Sequence, residues 1–207
     1  RDRSSLYSYH SRDILNFVRE INGRTFNSTS ELYLLPTDQE EWTRLTKQHD
    51  ALTQAYGGLF PTATHIHSSL APGPAKTVLD LGCGTGAWCC FFSRDYPHTS
   101  VIGVDLAPCS LYTDSEPDNY HFELDNIDLG LSHYFDQFDV IHAREIGIGL
   151  SDYRKVVEEA LLCLKPGGLV FLTELEWTIY NEDLTMSSQP ASDDSPSGSW
   201  MQRILNG

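Results

Sequence analysis

Basic side chains are scarce in this sequence. Its 207 residues contain 14 lysines and arginines against 29 aspartates and glutamates, so the formal net charge is −15. The few basic residues form no cluster along the chain. Because an acidic surface repels the phosphate backbone at long range, the composition argues against a nucleic-acid partner.

Long apolar runs are absent as well. No segment reaches the roughly 18 consecutive apolar residues that indicate a membrane-spanning helix. Residues 1–20 carry charges throughout instead of a basic start followed by an apolar stretch, so neither a membrane span nor an intact secretory signal is expected. A hydrophobic content of 40% is enough for one globular domain with its own core.

The five cysteines form neither a Cys-x-x-Cys pair nor a ladder of Cys and His ligands. Reduced thiols, and with them a cytoplasmic or nuclear location, are therefore expected. His65 and His67 follow His49 in the sequence, but no third ligand stands nearby at a usable spacing. We expect no metal site.

Residues 1–75 are predicted to form an N-terminal helical lid or cap. A short helix is expected over residues 13–21, closed by the Asn-Gly pair that follows it. A longer helix begins where Thr37 and Glu40 have the spacing of a capping box. Its apolar face repeats at intervals of three and four residues: Trp42, Leu45, His49, Leu52 and Tyr56.

Over residues 76–180, short apolar runs alternate with helix-length segments, which predicts an α/β fold with a mostly parallel sheet and helices on both faces. The expected helices are 86–94 and 151–164. Residues 181–207 are rich in Ser, Asp and Pro and are predicted to form a loop with a short C-terminal helix. The expected strands are 77–81, 100–104, 120–124, 138–142 and 169–175.

A glycine-rich segment lies where the first strand meets the first helix of this region. Gly82, Gly84 and Gly86 stand at alternate positions, where the lack of a side chain permits a positive φ and close approach of a ligand. The helix that follows offers free N–H groups and a positive partial charge. Asp105 ends the next strand, where a carboxylate accepts hydrogen bonds from both hydroxyls of a ribose. The pattern predicts a nucleotide-type ligand site, and since Gly82, Gly84 and Ala87 also fit the dinucleotide fingerprint, an NAD-dependent oxidoreductase stays open.

The order of these features resembles that of class I S-adenosylmethionine-dependent methyltransferases. In that family the first strand ends in Asp/Glu-x-Gly-x-Gly-x-Gly, matched from Asp80 to Gly86, and the second ends in an acid, matched by Asp105. The strand ending in His142-Ala143-Arg144 and the Lys165-Pro166-Gly167-Gly168 turn are further matches. The resemblance implies a Rossmann-like sheet, S-adenosylmethionine as cofactor and S-adenosylhomocysteine as product. Because little apolar sequence follows the fifth strand, the final antiparallel strands of the family are expected to be missing or truncated.

The resemblance also implies a cofactor pocket at the carboxyl ends of the strands. After the third strand, Asp125 or Asn126 is expected beside the adenine, followed by Ile127, and the choice between the two polar residues stays open. The other implied cofactor contacts are Asp80, Gly82, Cys83, Gly84, Gly86, Asp105, Leu106, Ala143 and Arg144.

Residues 23–27, 33–36, 122–131 and 142–144 are similar to segments of the fungal LaeA-like methyltransferases. This likeness implies that Tyr33 helps to close the cofactor pocket. That family is associated with secondary metabolism, which does not identify an acceptor. We therefore expect the methyl acceptor to be either a small molecule, such as a secondary metabolite, or a protein.

The implied chemistry is transfer of a methyl group from a sulfonium to a nucleophile by in-line displacement. The protein mainly holds the acceptor atom and the methyl carbon about 3 to 3.5 Å apart in alignment and excludes water. A general base is needed only where the acceptor must first lose a proton, so the sequence need not display a catalytic pair. The candidates for such a base are His142 and Glu174.

A second hypothesis is a non-catalytic or partner-dependent cofactor-binding module. Without the final antiparallel strands, the fifth strand becomes an exposed apolar edge, and such an edge pairs readily with another chain. This hypothesis predicts a homo-oligomer or hetero-oligomer formed through that edge.

We predict that Asp105→Ala weakens S-adenosylmethionine binding by about 1.5 to 3 kcal/mol, because charged hydrogen bonds to the ribose are lost. Calorimetric titration of the folded wild-type and variant chains measures the difference. An unchanged affinity would show that the cofactor lies elsewhere.

Overall fold

The computed structural model describes residues 16–60, 66, 69–71, 75–109, 117–176 and 180. The chain divides into two compact units, 1–173 and 174–207, and the elements given below belong to the first. Two predicted features lie wholly or partly outside the described residues: the start of the 13–21 helix and the C-terminal helix within 181–207.

The N-terminal region begins with a β-hairpin. Strands β1 (Val18–Ile21) and β2 (Arg24–Asn27) pair antiparallel. Asn22 and Gly23 connect them with φ angles of 52° and 77°. An Asn-Gly pair adopts positive φ readily and forms the two-residue turn whose twist matches a hairpin. The expectation of a helix over 13–21 is therefore wrong in its described part, because Asn-Gly joins two strands here instead of ending a helix.

Helix α1 (Gln39–Tyr56) is the long amphipathic helix that the sequence predicts. Its N-cap is Asp38, whose carboxylate accepts the Glu41 N–H at 3.1 Å. The same carboxylate binds the Arg24 guanidinium at 2.6 and 3.0 Å, which joins the hairpin to the helix. The predicted cap, Thr37, is one residue too early, and its buried hydroxyl has no hydrogen-bond partner among the described residues.

Five parallel strands form the central sheet: β3 (Lys76–Leu81), β4 (Thr99–Asp105), β5 (Tyr120–Leu124), β6 (Phe138–Arg144) and β7 (Leu164–Thr173). Their spatial order is β5-β4-β3-β6-β7, and each neighbouring pair is parallel. The chain runs from β3 outward to β5 and then crosses to β6 on the other side of β3. Open parallel sheets bind ligands beyond the carboxyl ends of the strands at such a point of divergence, which here is the end of β3.

Helices cover both faces of the sheet, as predicted, because alternate residues of each strand point to opposite faces. One face packs against α2 (Ala87–Asp95) through Val78, Val101, Val140, Trp88 and Phe92. The other face packs against α3 (Tyr153–Cys163) through Leu79, Leu81, Ile141, Val156 and Ala160. None of the helices in the described part of the chain has the length and apolar composition that crossing a membrane requires.

The last strand differs from its predicted bounds of 169–175. β7 begins at Leu164, directly after α3, and the Lys-Pro-Gly-Gly sequence lies inside it as an irregularity. Four residues of β7 lie opposite Asp139 alone, and Gly167 accommodates the extra length with a φ of 81°. The strand ends at Thr173 and forms one edge of the sheet as far as the described residues extend.

We predict that Asp38→Ala lowers the free energy of unfolding by about 1 to 2 kcal/mol, because the cap of α1 is lost. The neighbouring Thr37→Val is the matched control: it removes only an unpartnered buried hydroxyl and is not expected to destabilise. Urea unfolding of the two variants measures both effects. A loss in Thr37→Val as large as that in Asp38→Ala would identify Thr37 as the cap.

The charge of Asp38 adds a pH dependence to this contribution. Hydrogen bonding to the Arg24 guanidinium lowers the pKa of Asp38 to about 2. A carboxylate whose pKa is lower in the folded chain stabilises the fold above its ordinary pKa near 4, and this effect is lost as the pH falls toward 2. We therefore expect the difference between wild type and Asp38→Asn, which keeps the cap, to shrink over that range.

Candidate functional site

The glycine loop between β3 and α2 has the backbone conformation that the sequence predicts. Gly82, Gly84 and Gly86 have φ angles of 67°, 56° and 73°. A Cβ atom on Gly82 would lie 2.6 Å from Cγ2 of Ile146, and one on Gly86 would lie 2.7 Å from the Tyr120 hydroxyl. The left-handed backbone therefore favours glycine at all three positions, and the packing of the protein around the loop requires it at Gly82 and Gly86.

Asp105 fastens this loop to the end of β4. Its Oδ2 accepts the Gly84 N–H at 2.8 Å, and its Oδ1 accepts the N–H groups of Leu106 at 2.8 Å and Ala107 at 3.4 Å. Burial raises the pKa of Asp105, and these three backbone N–H groups oppose the rise. Because each carboxylate oxygen accepts two hydrogen bonds, Oδ2 keeps capacity for a ligand hydroxyl.

A loop after β2 reaches across the ends of β4 and β5. The buried Asn27 shapes it: Oδ1 accepts the N–H of Ser30 at 2.7 Å, and Nδ2 donates to the Tyr33 carbonyl at 3.1 Å. The Thr29 hydroxyl donates to the Leu106 carbonyl at 3.2 Å. Sequence reasoning missed Asn27 and Thr29, although an Asn followed by Ser and Thr is a common signal for a side-chain-stabilised turn.

Tyr33 lies at the edge of the same site. Its ring is half-buried and sits against Gly149, where an added Cβ would lie 3.1 Å from Cδ2 of the tyrosine. Burial raises the pKa of Tyr33, and the charge of Asp105 raises it further. The negative charge of Asp105 therefore acts on the Tyr33 hydroxyl. The role of Tyr33 in closing the cofactor pocket stays a prediction.

The structure separates the tasks of Asp125 and Asn126. Asn126 caps the short 3₁₀ helix Ile127–Leu129, with Oδ1 accepting the Asp128 N–H at 3.1 Å, and its Nδ2 donates to the Thr29 carbonyl at 3.2 Å. Both groups of this amide therefore hold the loop and the helix in place. Asp125 binds His133 at 2.9 Å and retains acceptor capacity. Asp125 is thus the better candidate for an adenine contact, and Ile127 belongs to the core.

Beneath the glycine loop lies a buried polar network. Asp80 is 2% exposed; its Oδ1 lies 2.7 Å from Nδ1 of His142, and its Oδ2 accepts the Cys89 thiol at 3.1 Å. The His142 ring stacks on Trp88 with centroids 4.0 Å apart. Burial raises the pKa of the Cys89 thiol well above its usual range, so the thiol stays protonated as a donor. This arrangement makes Asp80 and His142 supports of the loop, because each carboxylate oxygen bonds a protein group, and the cofactor contact expected of Asp80 stays a prediction.

Cys83 and Ala143 also lie inside the protein. Cys83 is 9% exposed, and an added Cβ on Gly103 would lie 3.0 Å from its sulfur. Ala143 is 1% exposed and belongs to the core beside α3. Their side chains pack, so any cofactor contact they make is through the backbone.

Helix α1 is joined to the carboxyl end of β6 by two side-chain contacts. Arg144 donates through Nη2 to Nδ1 of His49 at 3.1 Å, and the Gln48 amide donates to the Glu145 carboxylate. His49 is 3% exposed and stacks on Phe91 with centroids 5.4 Å apart. Burial lowers the pKa of His49 to about 4, and the neighbouring charge of Arg144 lowers it as well. The imidazole is therefore neutral at pH 7.

One predicted site residue is not placed with the others. Glu174 follows β7 as the first residue of the second unit, so its candidate role stays a prediction. His65 and His67 lie outside the described residues. Within the described ranges, no group of three or more His, Cys, Asp or Glu side chains could hold a metal ion.

The chain is similar to several fungal proteins. It is 39% identical to the secondary metabolism regulator laeA of Coprinopsis cinerea over 164 residues, which are 79% of this chain and 40% of that protein. It is 31% identical to the protein-methionine methyltransferase laeA of Emericella nidulans over 180 residues, 84% of this chain and 44% of that protein. The chain thus spans less than half the length of these two relatives.

The fold is also found in a solved structure. A protein of Methanococcus maripaludis described as an S-adenosyl-L-methionine-dependent methyltransferase superimposes with a TM-score of 0.50 at 17% identity, covering 67% of this chain and 64% of that one. At this level of identity the likeness concerns the fold, and it agrees with the five-stranded parallel sheet described above.

We predict that Gly82→Ala destabilises the protein more than Gly167→Ala does. Both positions have a positive φ, which costs about 1 to 2 kcal/mol for alanine. Of these two positions, Gly82 has the Ile146 side chain within 4 Å of the added Cβ, whereas Gly167 has nothing within that distance. Overpacking therefore adds about 1 to 3 kcal/mol to the loss of stability in Gly82→Ala. Urea unfolding of the two variants measures the difference, and equal losses would mean that Ile146 moves aside without cost.

One family model matches most of the chain. It describes a methyltransferase domain and covers residues 60–203. This range contains the whole central sheet, the glycine loop and Asp105, whereas the hairpin and α1 precede it. The chain therefore belongs to the family of methyltransferase domains.

Proposed function

We propose that this chain binds S-adenosylmethionine and transfers its methyl group to a nucleophilic acceptor, leaving S-adenosylhomocysteine. The single observation that carries the proposal is the hydrogen bond between the Gly84 N–H and the Asp105 carboxylate. It brings a loop of three left-handed glycines and a ribose-binding type of acid together at the ends of adjacent parallel strands. Membership of the methyltransferase-domain family supports the same reading.

The residues of the chain have distinct tasks in this proposal. Asp105 receives a ribose hydroxyl at Oδ2, and the glycine loop lies along the remainder of the cofactor. Tyr33 and the loop around Thr29 cover the site from the N-terminal side and exclude water. Since the sulfonium of the cofactor is already activated, alignment of the acceptor with the methyl carbon supplies most of the rate enhancement.

The proposal needs no strong base in the described site. His142 is 4% exposed and already bound through Nδ1 to Asp80, so it is poorly placed to take a proton from an acceptor. We infer an acceptor atom that attacks through a lone pair, on a small molecule or on a protein. The names of relatives, which include an N-methyltransferase verN of Clonostachys rogersoniana and a protein-methionine methyltransferase, support both kinds of acceptor.

A partner-dependent role is the second candidate function. It is favoured by the position of β7 at the edge of the described sheet, where Leu172 is 38% exposed. An edge strand presents unpaired backbone groups to another chain, so a homo-oligomer or hetero-oligomer is proposed for this edge. Sedimentation equilibrium of the purified chain tests it, and a monomer at all concentrations counts against self-association.

Isothermal titration of the chain with S-adenosylhomocysteine, with NADH as the control ligand, tests the main proposal. We expect micromolar binding of S-adenosylhomocysteine, binding weakened by Asp105→Ala, and no heat from NADH. Binding of NADH in preference to S-adenosylhomocysteine would favour an oxidoreductase. A folded chain that binds neither ligand would overturn the proposal for this chain.

A further inference from the structure

Arg144 occupies a central position at the ligand-binding edge of the sheet. It is the last residue of β6, and Ala143 before it pairs with Leu81, the last residue of β3. The next step along both strands brings Arg144 to the level of Gly82, where the glycine loop begins. A charged side chain at this point lies beside the loop that faces the ligand crevice.

The guanidinium of Arg144 differs from those of four other arginines in the described part of the chain. Arg144 hydrogen-bonds to His49 and makes no ion pair with a carboxylate of any described residue. A half-buried cation that no carboxylate of the described residues neutralises, in a chain of net charge −15, indicates that a ligand supplies the anion. By contrast, a carboxylate binds each of Arg19, Arg24, Arg44 and Arg154.

His49 holds this guanidinium without neutralising it. Arginine has no acceptor, so Nδ1 of His49 must be unprotonated and the ring proton must be on Nε2, which lies 3.4 Å from the Thr53 hydroxyl. The low pKa of the buried imidazole agrees with a neutral ring. Stacking on Phe91 and burial within α1 fix the ring plane. A neutral acceptor therefore orients Arg144 and leaves its full charge for another partner.

We propose that His49 is a positioning residue that presents the charged guanidinium of Arg144 to a carboxylate group of the bound ligand. The proposal rests on the proposed function. It extends that function by naming the group that the site recognises, a carboxylate, and the helix that positions Arg144 for it, α1. Either of two molecules can supply this carboxylate: the cofactor, through its amino-acid portion, or the methyl acceptor. In both cases the pair of charged hydrogen bonds that a guanidinium makes with a carboxylate supplies orientation as well as affinity.

The first experiment compares S-adenosylhomocysteine with 5′-methylthioadenosine, which lacks the amino-acid portion and its carboxylate. Affinities are measured by calorimetry for wild type, Arg144→Gln and His49→Leu. If the cofactor supplies the carboxylate, both variants weaken S-adenosylhomocysteine by about 10- to 100-fold, as expected for loss of a charged hydrogen bond, and leave 5′-methylthioadenosine unchanged.

A conservative variant separates positioning from simple packing. His49→Asn places its Oδ1 near the position of the imidazole Nδ1 and so keeps an acceptor for Arg144. We expect it to restore most of the affinity that His49→Leu loses, although both variants lose the aromatic stacking on Phe91. Circular dichroism verifies folding, and if His49→Leu does not fold, the comparison of His49→Asn with Arg144→Gln replaces it.

Exposed residues of the same types serve as matched controls. Arg154→Gln removes a guanidinium from α3 that is paired with Glu158, and His121→Leu removes an exposed imidazole from β5. Neither variant is expected to change the affinity for either ligand. If Arg154→Gln weakens the binding of S-adenosylhomocysteine as much as Arg144→Gln does, the loss of affinity comes from the change in overall charge and not from the position of Arg144.

A second titration tests the acceptor as the source. Acetate is added to the chain saturated with S-adenosylhomocysteine, and the side-chain N–H resonances of Arg144, assigned by their absence in Arg144→Gln, are followed by NMR. A saturable shift of those resonances, lost in His49→Leu, supports a carboxylate from the acceptor. Unchanged ligand affinities in Arg144→Gln together with no acetate-dependent shift would overturn the proposal.

Failure of the proposed function gives a different result. In that case wild type binds neither S-adenosylhomocysteine nor 5′-methylthioadenosine, and acetate is titrated into the free chain. A saturable shift of the Arg144 side-chain N–H resonances that is lost in His49→Leu would then support a carboxylate-binding site that does not need the cofactor. The absence of any shift would overturn the proposal.

Discussion

The hydrogen bond from the Gly84 N–H to the Asp105 carboxylate is the contact on which the site depends. It fixes a loop of left-handed glycines against the end of the neighbouring strand, and the same carboxylate holds the backbone that continues from β4. The Cys83 N–H also donates to the Val104 carbonyl at 2.9 Å, so a backbone bond and a side-chain bond together hold the turn from β3 to α2 against β4. Burial disfavours the charged form of Asp105 and raises its pKa, whereas the hydrogen bonds from the backbone N–H groups favour the charged form and lower the pKa.

The loop is supported from below by a second set of contacts. Asp80 pairs with His142 across β3 and β6, and Cys89 donates to the same carboxylate from α2. Three elements therefore meet at one buried side chain. A buried polar network of this kind is stable only when its members are satisfied, which explains why the first acid of the glycine motif is enclosed by protein groups.

The N-terminal region forms the other wall of the site. Thr29 contacts the ends of β4 and β5, and α1 reaches the end of β6 through His49. Asp38 caps α1 and binds Arg24, so the hairpin and the helix are joined to each other. The helix that follows the hairpin therefore holds side chains at the carboxyl end of the sheet, and Arg144 is the clearest case.

Sequence periodicity located the strands and helices of the central sheet except for the bounds of β7, and the spacing of the glycines and the end of the second strand located the glycine loop and Asp105. These features are local: a strand repeats every two residues, a helix about every 3.6, and a positive φ demands glycine at a definite position. The same local reasoning misjudged the first segment, because Asn-Gly ends a helix or turns a hairpin and only the pairing of β1 with β2 decides between them. It also placed the cap of α1 one residue early.

Only the tertiary structure decided the partners of the site residues. Asp80 and His142 are 62 positions apart, Arg144 and His49 are 95 apart, and Asn126 and Thr29 are 97 apart. Such contacts depend on strand register and on how α1 docks, which no local pattern records. The sequence therefore determined where the ligand-binding edge of the sheet forms, and the packed chain decided which protein groups its charged side chains bind.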